Sequence, residues 1–504
     1  SSELLYFAKG NNLMDQGNDQ RSQNKVSFFK KFTRFWGAIF TLLSALFLST
    51  LFYLDILPLN YTIYAFLAIA FLWLIIFPAL FIIRIKKSRK IIALFFSLII
   101  MAGYGIGISY LHGTANFLSG ITSFASQTKD FYIIAEKNDT KYNKLTDISG
   151  AKVFGVDDEQ AGKKEAFKKI KSRYFASVDY YEDIPSLGDA LLNQDCRLIL
   201  LSEIDQDTML RIAPDFKSRT KVIGKIRIKI KDKAIAKRKN LKTDSYNVLI
   251  SGIDHDKNID EEGRSDVNML VTVNPKTKNV LLTSIPRDYR VKLKKFGNAE
   301  DKITHTGLYG ADCTVDAVEE LLDVDVNYYV KVNFATVREL VDAIGGIDVY
   351  SDKEISLDVG GGRIHKYIQG INHVSGEEAL AFARERDSYE SGDIHRNMNQ
   401  QAVMKAIIEK ATSSTTILNK YGDILSGLQG YIRTNFSERE IKTIIKNELK
   451  NMGGWKITSQ NITGEGNSDV VYSSPQAYVY IMEHDDESIE NSRRRILRVQ
   501  KDSK

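Results

Sequence analysis

Eight polar residues in the C-terminal half of the chain stand where predicted strands and helices begin or end. They are Arg264, Asp266, Arg287, Arg384, Arg386, Asp393, Arg396 and Gln400. Three of them open one predicted helix at 393–412: Asp393, Arg396 and Gln400 follow one another at spacings of three and four, which puts their side chains on one helix face. A carboxylate at Asp393 also suits the positive end of the helix dipole.

Five arginines in one place would repel one another unless an anion lay between them. Planar guanidinium groups match the paired oxygens of phosphate better than the point charge of lysine does. The two aspartates, Asp266 and Asp393, could hold a divalent cation, because Mg²⁺ takes one or two carboxylates and completes its shell with water and phosphate. Together these residue types favour a diphosphate site. Ordinary surface salt bridges remain the alternative, since Arg287–Asp288 and Arg384–Glu385–Arg386 each contain both charges.

The elements that must position these residues belong to a mixed α/β pattern. Strand-like runs alternate with helical patterns at 376–383, 393–412 and 437–449, and this predicts a domain over 244–485 with a mixed central sheet flanked by helices. A charged C-terminal helix or tail follows at 486–504. Residues 112–243 predict a smaller α/β accessory domain that ends in a basic linker, and the small, polar residues 112–127 are expected to form a short linker ahead of its strands.

Three apolar runs precede these domains, at Phe35–Leu57, Tyr61–Ile83 and Ile91–Leu111. Each is close to the ~20 residues that a helix needs to cross a bilayer, so we expect three transmembrane helices over 35–111. Basic residues concentrate before the first run and in the loop at 84–90. The positive-inside rule therefore predicts a cytoplasmic tail at 1–34 and an extracellular location for everything after residue 111. Residues 1–13, ahead of Met14, are either an added leader or a native tail.

The distribution of charge argues against a nucleic-acid partner. Residues 1–111 hold 11 Lys and Arg against 4 Asp and Glu, so the other 393 residues carry a net charge of −1 although the whole chain carries +6. The basic character thus belongs to the predicted membrane segment, and the large remainder is nearly neutral. Two cysteines, Cys196 and Cys313, exclude a disulfide framework and a cysteine-rich zinc module.

The site residues lie in segments that resemble the LytR–CpsA–Psr family, and the three apolar runs with an accessory module resemble its capsule-associated CpsA branch. The motif Leu-Thr-Ser-Ile-Pro-Arg-Asp at 282–288 is one of the segments that carry the resemblance. The others are 264–270, 332–349, 379–387 and 392–401.

The resemblance implies a phosphotransferase that moves a capsular glycopolymer from a polyprenyl diphosphate carrier of the undecaprenyl type to peptidoglycan, with the polyprenyl chain in an apolar channel. It also implies that Asp266 and Asp393 hold Mg²⁺, or Mn²⁺ in its place, and act in catalysis with Arg264 and Arg287. The residues that would bind the diphosphate are Arg264, Arg287, Arg384, Arg386, Arg396, Gln400 and Lys302.

Two departures from the family pattern concern Val267, which stands where many members have Thr, and the segment from Lys302 to Gly310. A plain surface lysine is the alternative for Lys302. The alternative for the whole protein is a non-catalytic regulator of capsule assembly that binds polyprenyl phosphate, or a transcriptional attenuator. The expected partners are the lipid carrier with its polysaccharide, peptidoglycan, the membrane and capsule assembly proteins.

Overall fold

The computed structural model describes residues 3–82, 85–122, 127–157, 162–230, 237–253, 259, 263–389, 392–411, 424, 428, 430–450 and 453–502. The chain divides into two compact units. One comprises 1–116 with 445–450, and the other comprises 117–444 with 451–504.

The first unit contains helices α1 (Glu3–Leu54) and α2 (Leu59–Phe81) and helix α3 (Lys87–Ile121) as far as residue 116, together with residues 445–450. Three stretches within them are long and apolar enough to cross a membrane, which confirms the expected three helices. Indole N–H groups join the helices, because Trp36 donates to Ser97 and Trp73 donates to Thr41, each at 2.9 Å. Such bonds satisfy polar groups that would otherwise face an apolar environment.

The third helix runs ten residues past the limit expected at residue 111. The segment from residue 112 was expected to be a small, polar linker, and that expectation is wrong as far as Ile121. Phe117, Leu118 and Ile121 are all buried and lie at helical spacing, so an apolar face continues through the polar residues.

The accessory region confirms the expected α/β pattern. Its sheet has the order β3-β2-β4-β1-β5, with β2 parallel to β3 and β4, and with β1 antiparallel to β4 and β5. The elements are β1 (Gln127–Glu136), β2 (Lys152–Val156), α4 (Lys163–Arg173), β3 (Ser177–Tyr181), α5 (Ile184–Leu192), β4 (Ile199–Ser202), α6 (Glu203–Ile212), α7 (Phe216–Arg219) and β5 (Thr220–Ile230).

The C-terminal part is organised by a six-stranded mixed sheet of order β16-β11-β6-β7-β8-β17. Strands β6, β7 and β8 form an antiparallel meander, while β11 is parallel to β6 and β17 is parallel to β8. The strands are β6 (Tyr246–Ile253), β7 (Ser265–Asn274), β8 (Asn279–Ile285), β11 (Tyr328–Asn333), β16 (Ile432–Thr434) and β17 (Lys456–Asn461).

Helices and small hairpins complete this part of the chain. They are β9 (Arg290–Leu293), β10 (Ala299–Lys302), α8 (Ile303–Tyr309), α9 (Ala311–Leu322), α10 (Phe334–Ala343), β12 (Ile347–Ser351), β13 (Ile355–Asp358), β14 (Ile364–Tyr367), β15 (Gly370–Val374), α11 (Gly376–Arg384), α12 (Asp393–Ala411), α13 (Glu438–Lys450), β18 (Gly464–Val471), β19 (Ser474–His484) and α14 (Asp486–Lys501). The three long predicted helices correspond to α11, α12 and α13.

Side chains alternate along each strand, so each face of the sheet presents its own set of residues, and both sets are buried in a core. Leu249, Leu270 and Leu281 face one core, which the C-terminal helix α14 completes with the fully buried Ile496. Val248 and Val271 face the other core, to which residues of α12 contribute. The limits proposed for the accessory and catalytic domains, 112–243 and 244–485, stay predictions.

Candidate functional site

A cavity of about 340 Å³ lies where β7, β8, α10, α11 and α12 meet. Among the described residues, its lining comprises Asp266, Val267, Arg287, Phe334, Arg384, Arg386, Arg396 and Gln400. Six of the residues singled out from the sequence are therefore brought to one place. The described lining contains four guanidinium groups and one carboxylate, so it carries an excess of positive charge.

Asp266 and Arg287 meet because of the strand register. The antiparallel pairing of β7 with β8 places Asn268 opposite Ile285. Asp266 precedes Asn268 by two residues and Arg287 follows Ile285 by two, just beyond the end of β8, so the two side chains come close together. A guanidinium nitrogen of Arg287, Nη1, lies 3.1 Å from Asp266 Oδ2, and both side chains are partly exposed. The pair thus forms one wall of the cavity and stays accessible to a ligand.

The other wall comes from helix ends. Arg384 is the last residue of α11, and its guanidinium carbon lies 4.4 Å above the centre of the Phe334 ring, a cation–π contact that fixes its position. Arg396 and Gln400 lie one helical turn apart on α12, and Arg396 is only 8% exposed. Asp393 begins α12, and its side chain lies outside the described part of the structure.

Two other predicted residues lie outside the described lining of the cavity. Arg264 precedes β7 and is half-buried, and its carbonyl accepts a hydrogen bond from the backbone N–H of Asp266 at 3.1 Å. The ammonium group of Lys302 lies 2.7 Å from Asp288 Oδ1, and both side chains are largely buried. Their proposed contacts with a diphosphate stay predictions.

Sequence reasoning did not single out two residues that shape the site. Thr304 donates a hydrogen bond from its hydroxyl to Asp266 Oδ1 at 3.0 Å, and Phe334 supports Arg384. Both residues nevertheless lie in sequence segments that had been singled out. Phe334 stands in the quoted segment 332–349, and Thr304 stands in the segment noted as a departure from the family pattern.

The two cysteines are poor candidates for chemistry. Both thiols are buried. Burial, with a smaller contribution from Asp195, raises the pKa of the Cys196 thiol to about 11, and burial raises that of Cys313 to about 12. Because the thiolate is the reactive form, both groups are protonated at neutral pH and serve as small apolar side chains.

A larger cavity, of about 850 Å³, lies elsewhere in the same unit. Its lining carries an excess of negative charge, with five carboxylates against two lysines: Asp244, Glu319, Glu320, Asp323 and Asp325 against Lys239 and Lys294. That charge would repel a phosphate group. The smaller, arginine-lined cavity is therefore the candidate functional site.

Comparisons with known proteins show which family the chain is similar to. The model of the LytR_cpsA_psr family matches residues 216–494, more than half of the chain. The polyisoprenyl-teichoic acid–peptidoglycan teichoic acid transferase TagU of Bacillus cereus is 38% identical over 207 residues, which cover 41% of this chain and 65% of the relative. The protein of the same name from Bacillus subtilis (strain 168) is 38% identical over 197 residues, which cover 39% and 61%.

The matches therefore span less than two thirds of these relatives' own length. Among solved structures, the crystal structure of B. subtilis TagU is similar, with 30% sequence identity and a TM-score of 0.40. That similarity covers 52% of this chain and 99% of the other.

Proposed function

The chain belongs to the LytR_cpsA_psr family, and we propose that it is a membrane-anchored transferase that moves a wall glycopolymer from a polyprenyl diphosphate carrier to peptidoglycan. The names of its relatives, which are teichoic acid–peptidoglycan transferases, support this reaction class. We propose a capsular polymer as the cargo, on the resemblance to the CpsA branch. Three apolar helices and the basic loop at 84–90 support an extracellular location for the catalytic part.

The observation that carries the proposal is the arginine-lined cavity. Its described lining holds four arginines and one aspartate, and the cavity is large enough for a diphosphate group. A diphosphate would neutralise the excess positive charge, and each oxygen would receive a charge-assisted hydrogen bond. No adenosine triphosphate is needed in such a reaction, because the bond that breaks is already part of the diphosphate.

The reaction is a substitution at phosphorus. A hydroxyl oxygen of peptidoglycan attacks the phosphorus that bears the glycan, and the bond from that phosphorus to the bridging oxygen breaks. Polyprenyl phosphate leaves, and the proton of the acceptor hydroxyl passes to the departing phosphate or to water. Arg287, Arg384, Arg386 and Arg396 would stabilise the negative charge that spreads over the phosphate oxygens, and Asp266 and Phe334 hold Arg287 and Arg384 in place before the reaction begins.

The donor set at the site fits a magnesium ion. Asp266 supplies a carboxylate, and each of its oxygens already accepts one hydrogen bond, from Arg287 or Thr304, which leaves each oxygen able to bind further. Asp266 would hold the ion together with Asp393, and phosphate and water oxygens would complete the shell. Bound Mg²⁺ would neutralise charge on the diphosphate.

The test is turnover of a glycan-loaded polyprenyl diphosphate by the full chain in lipid nanodiscs with peptidoglycan as acceptor. We expect Asp266→Asn and Asp393→Asn each to abolish Mg²⁺-dependent transfer, because both act on one ion. Mn²⁺ should replace Mg²⁺, and a chelator should stop the wild-type protein. Asp348→Asn, a change at an exposed carboxylate, is the matched control.

Binding of the lipid without any transfer would contradict the proposal and favour a non-catalytic regulator. Transfer that a chelator leaves untouched would contradict the role of the metal. If Asp266→Asn and Asp393→Asn unfold the protein, the two carboxylates are salt-bridge partners, and the metal-assisted mechanism is wrong.

A further inference from the structure

Helix α8 holds both members of the Asp266–Arg287 pair. The hydroxyl of Thr304, in its first turn, donates to Asp266 Oδ1 at 3.0 Å. The backbone N–H of the same residue donates to the carbonyl of Arg287 at 3.0 Å. Thr304 is 3% exposed, so these bonds form away from bulk water. A shift of α8 would therefore move the wall of the cavity.

The helix also lies directly against the chain that leads into Asp266. At Gly307, an added Cβ would stand 2.6 Å from the carbonyl oxygen of Gly263 and 2.9 Å from the backbone nitrogen of Ser265. Only glycine allows this approach of helix to backbone. Helix α8 and the start of β7 are therefore in backbone contact, with no intervening side chain to absorb a displacement.

A buried polar cluster joins α8 to the turn between β18 and β19. The ring nitrogen Nδ1 of His305 lies 2.7 Å from Asp301 Oδ1 and 2.7 Å from Ser473 Oγ. The hydroxyl of Tyr309 and the backbone N–H of Ser473 donate to Asp301 Oδ2 at 3.2 and 3.1 Å. Burial and the Asp301 carboxylate raise the pKa of Tyr309, so its hydroxyl keeps the proton that it donates.

This cluster has the residue types of a hydrolase triad and lacks its arrangement. Asp301 and Ser473 both contact the same nitrogen of His305, whereas a triad needs the carboxylate and the hydroxyl on opposite nitrogens. All three residues are almost fully buried. Their role in the fold is to connect α8 to the hairpin.

The accessory domain makes two buried contacts at this place. Thr208, on α6, donates its hydroxyl to the carbonyl of Ser473 at 3.0 Å. Lys129, on β1, donates from its ammonium group to the carbonyl of Leu308, on α8, at 3.4 Å. Thr208 is 9% exposed and Lys129 is 2% exposed. Burying these groups costs free energy unless they are hydrogen-bonded, so both contacts resist separation.

We propose that the accessory domain positions the candidate site through helix α8. Thr208 and Lys129 hold α8 in place through their hydrogen bonds to Ser473 and Leu308. Thr304, on α8, in turn holds Asp266 and Arg287 through its own two hydrogen bonds. These are positioning residues, and none of them needs to touch the substrate. The consequence for transfer rests on the proposed function, whereas the effect on α8 itself does not.

The experiment uses the full chain in lipid nanodiscs and two measurements. Amide hydrogen exchange at 303–309 reports the opening of α8. The dissociation constant of inorganic pyrophosphate in the presence of Mg²⁺ reports the geometry of the cavity without requiring transfer. The variants are Thr208→Val, Lys129→Met and Thr304→Val. The matched controls are Thr220→Val and Lys152→Met, whose contacts lie within the accessory domain.

Thr208→Val and Lys129→Met should each raise the exchange rate of α8 about fivefold, the effect of losing one net hydrogen bond. Both should weaken pyrophosphate binding about two- to fivefold. Thr304→Val should weaken it about fivefold, and Thr304→Ser, which keeps the hydroxyl, should restore wild-type binding. The two controls should change neither quantity.

Unchanged α8 exchange in Thr208→Val overturns the proposal. An equal rise in the exchange rate of α8 in Thr220→Val also overturns it, because the effect would then come from a general loss of stability. If Lys129→Met does not fold, Thr208→Val still decides, since valine closely matches the shape of threonine. If wild-type protein fails to bind pyrophosphate, the diphosphate site is refuted, and the exchange data still test the coupling.

Discussion

Two groups of charged residues sit at strand ends in this protein, and they are built in opposite ways. In the accessory domain, Lys163 follows β2 and Asp205 follows the neighbouring parallel strand β4. Their charged atoms lie 3.1 Å apart, with side-chain exposures of only 1% and 2%. In the arginine-lined cavity, Asp266 and Arg287 are 19% and 30% exposed, and the cationic groups outnumber the carboxylate.

The difference shows what each group is able to do. Asp205 also accepts a hydrogen bond from the backbone N–H of Ser202 at 2.9 Å, so the accessory pair is matched in charge and closed to solvent. A matched buried pair specifies packing and has no charge left for a ligand. The cavity has open volume and surplus positive charge, which are the features of an anion site. Position at the end of a strand is common to both, and therefore does not decide function.

The largest expected effect comes from breaking the buried Lys163–Asp205 pair. Lys163→Met should lower the stability of the accessory region by about 3–5 kcal/mol, because the almost fully buried Lys163–Asp205 ion pair is lost. Hydrogen exchange of the amides in β2 and β4 measures this loss. Lys152→Met removes an exposed pair in the same domain, and should cost at most about 1 kcal/mol. Equal effects of the two changes would contradict the distinction drawn here.

A smaller effect is expected at the cavity, and it concerns binding instead of folding. Arg384→Ala should weaken binding of a polyprenyl diphosphate by about 1.5–3 kcal/mol, roughly 10- to 150-fold, because a charge-assisted contact is lost. The thermal unfolding temperature should stay close to that of the wild type, since the side chain borders open space.

The same result is expected for Arg287→Ala and Arg386→Ala, and Arg494→Ala, at a side chain 63% exposed, is the control. Wild-type binding in two or more of the cavity variants would mean that this cluster, like the accessory pair, is structural.

The smallest expected effect concerns His395, whose exposure lies between that of the accessory pair and that of the Asp266–Arg287 pair. His395 precedes Arg396 on α12, its ring stacks on Tyr389, and its side chain is 12% exposed. Burial lowers the pKa of the His395 imidazole, while Asp352 and Glu385 raise it and Lys353 lowers it. The folded chain therefore favours the neutral ring.

The stability that His395 contributes should be fully present above its ordinary pKa of about 6.5 and should fall as the pH drops below that value. Unfolding at pH 7 and at pH 5 measures the change, and His395→Gln should flatten the profile. His373→Gln, at a ring 61% exposed, is the control. A profile that His395→Gln leaves unchanged would place the pH dependence elsewhere in the chain.

Periodic features of the fold were accessible from the sequence. The three apolar runs, the alternation of strands with helices, and the helices α11 to α13 follow from local patterns, because hydrophobic period reports which face of an element is buried. The end of α3 was missed, since its last turns mix polar residues with only three buried apolar ones.

The candidate site was accessible in part. The helical spacing of Arg396 and Gln400 indicates that they share a face, and the residue types indicate the chemistry. Lys302 illustrates the limit, because its sequence environment is the same whether the ammonium group binds a ligand or, as in the fold, lies against Asp288. Thr304 and Phe334 have no periodic signal for the contacts that they make with Asp266 and Arg384.

By itself, then, the sequence determined the element types, the apolar anchor and the residue types suited to a diphosphate. The tertiary structure alone decided that Asp266 meets Arg287 and shares a cavity with Arg384, Arg386 and Arg396, and that the accessory domain reaches α8. The physical reason is that local periodicity selects the face of each element. Which faces meet depends on packing between residues that are far apart in the chain.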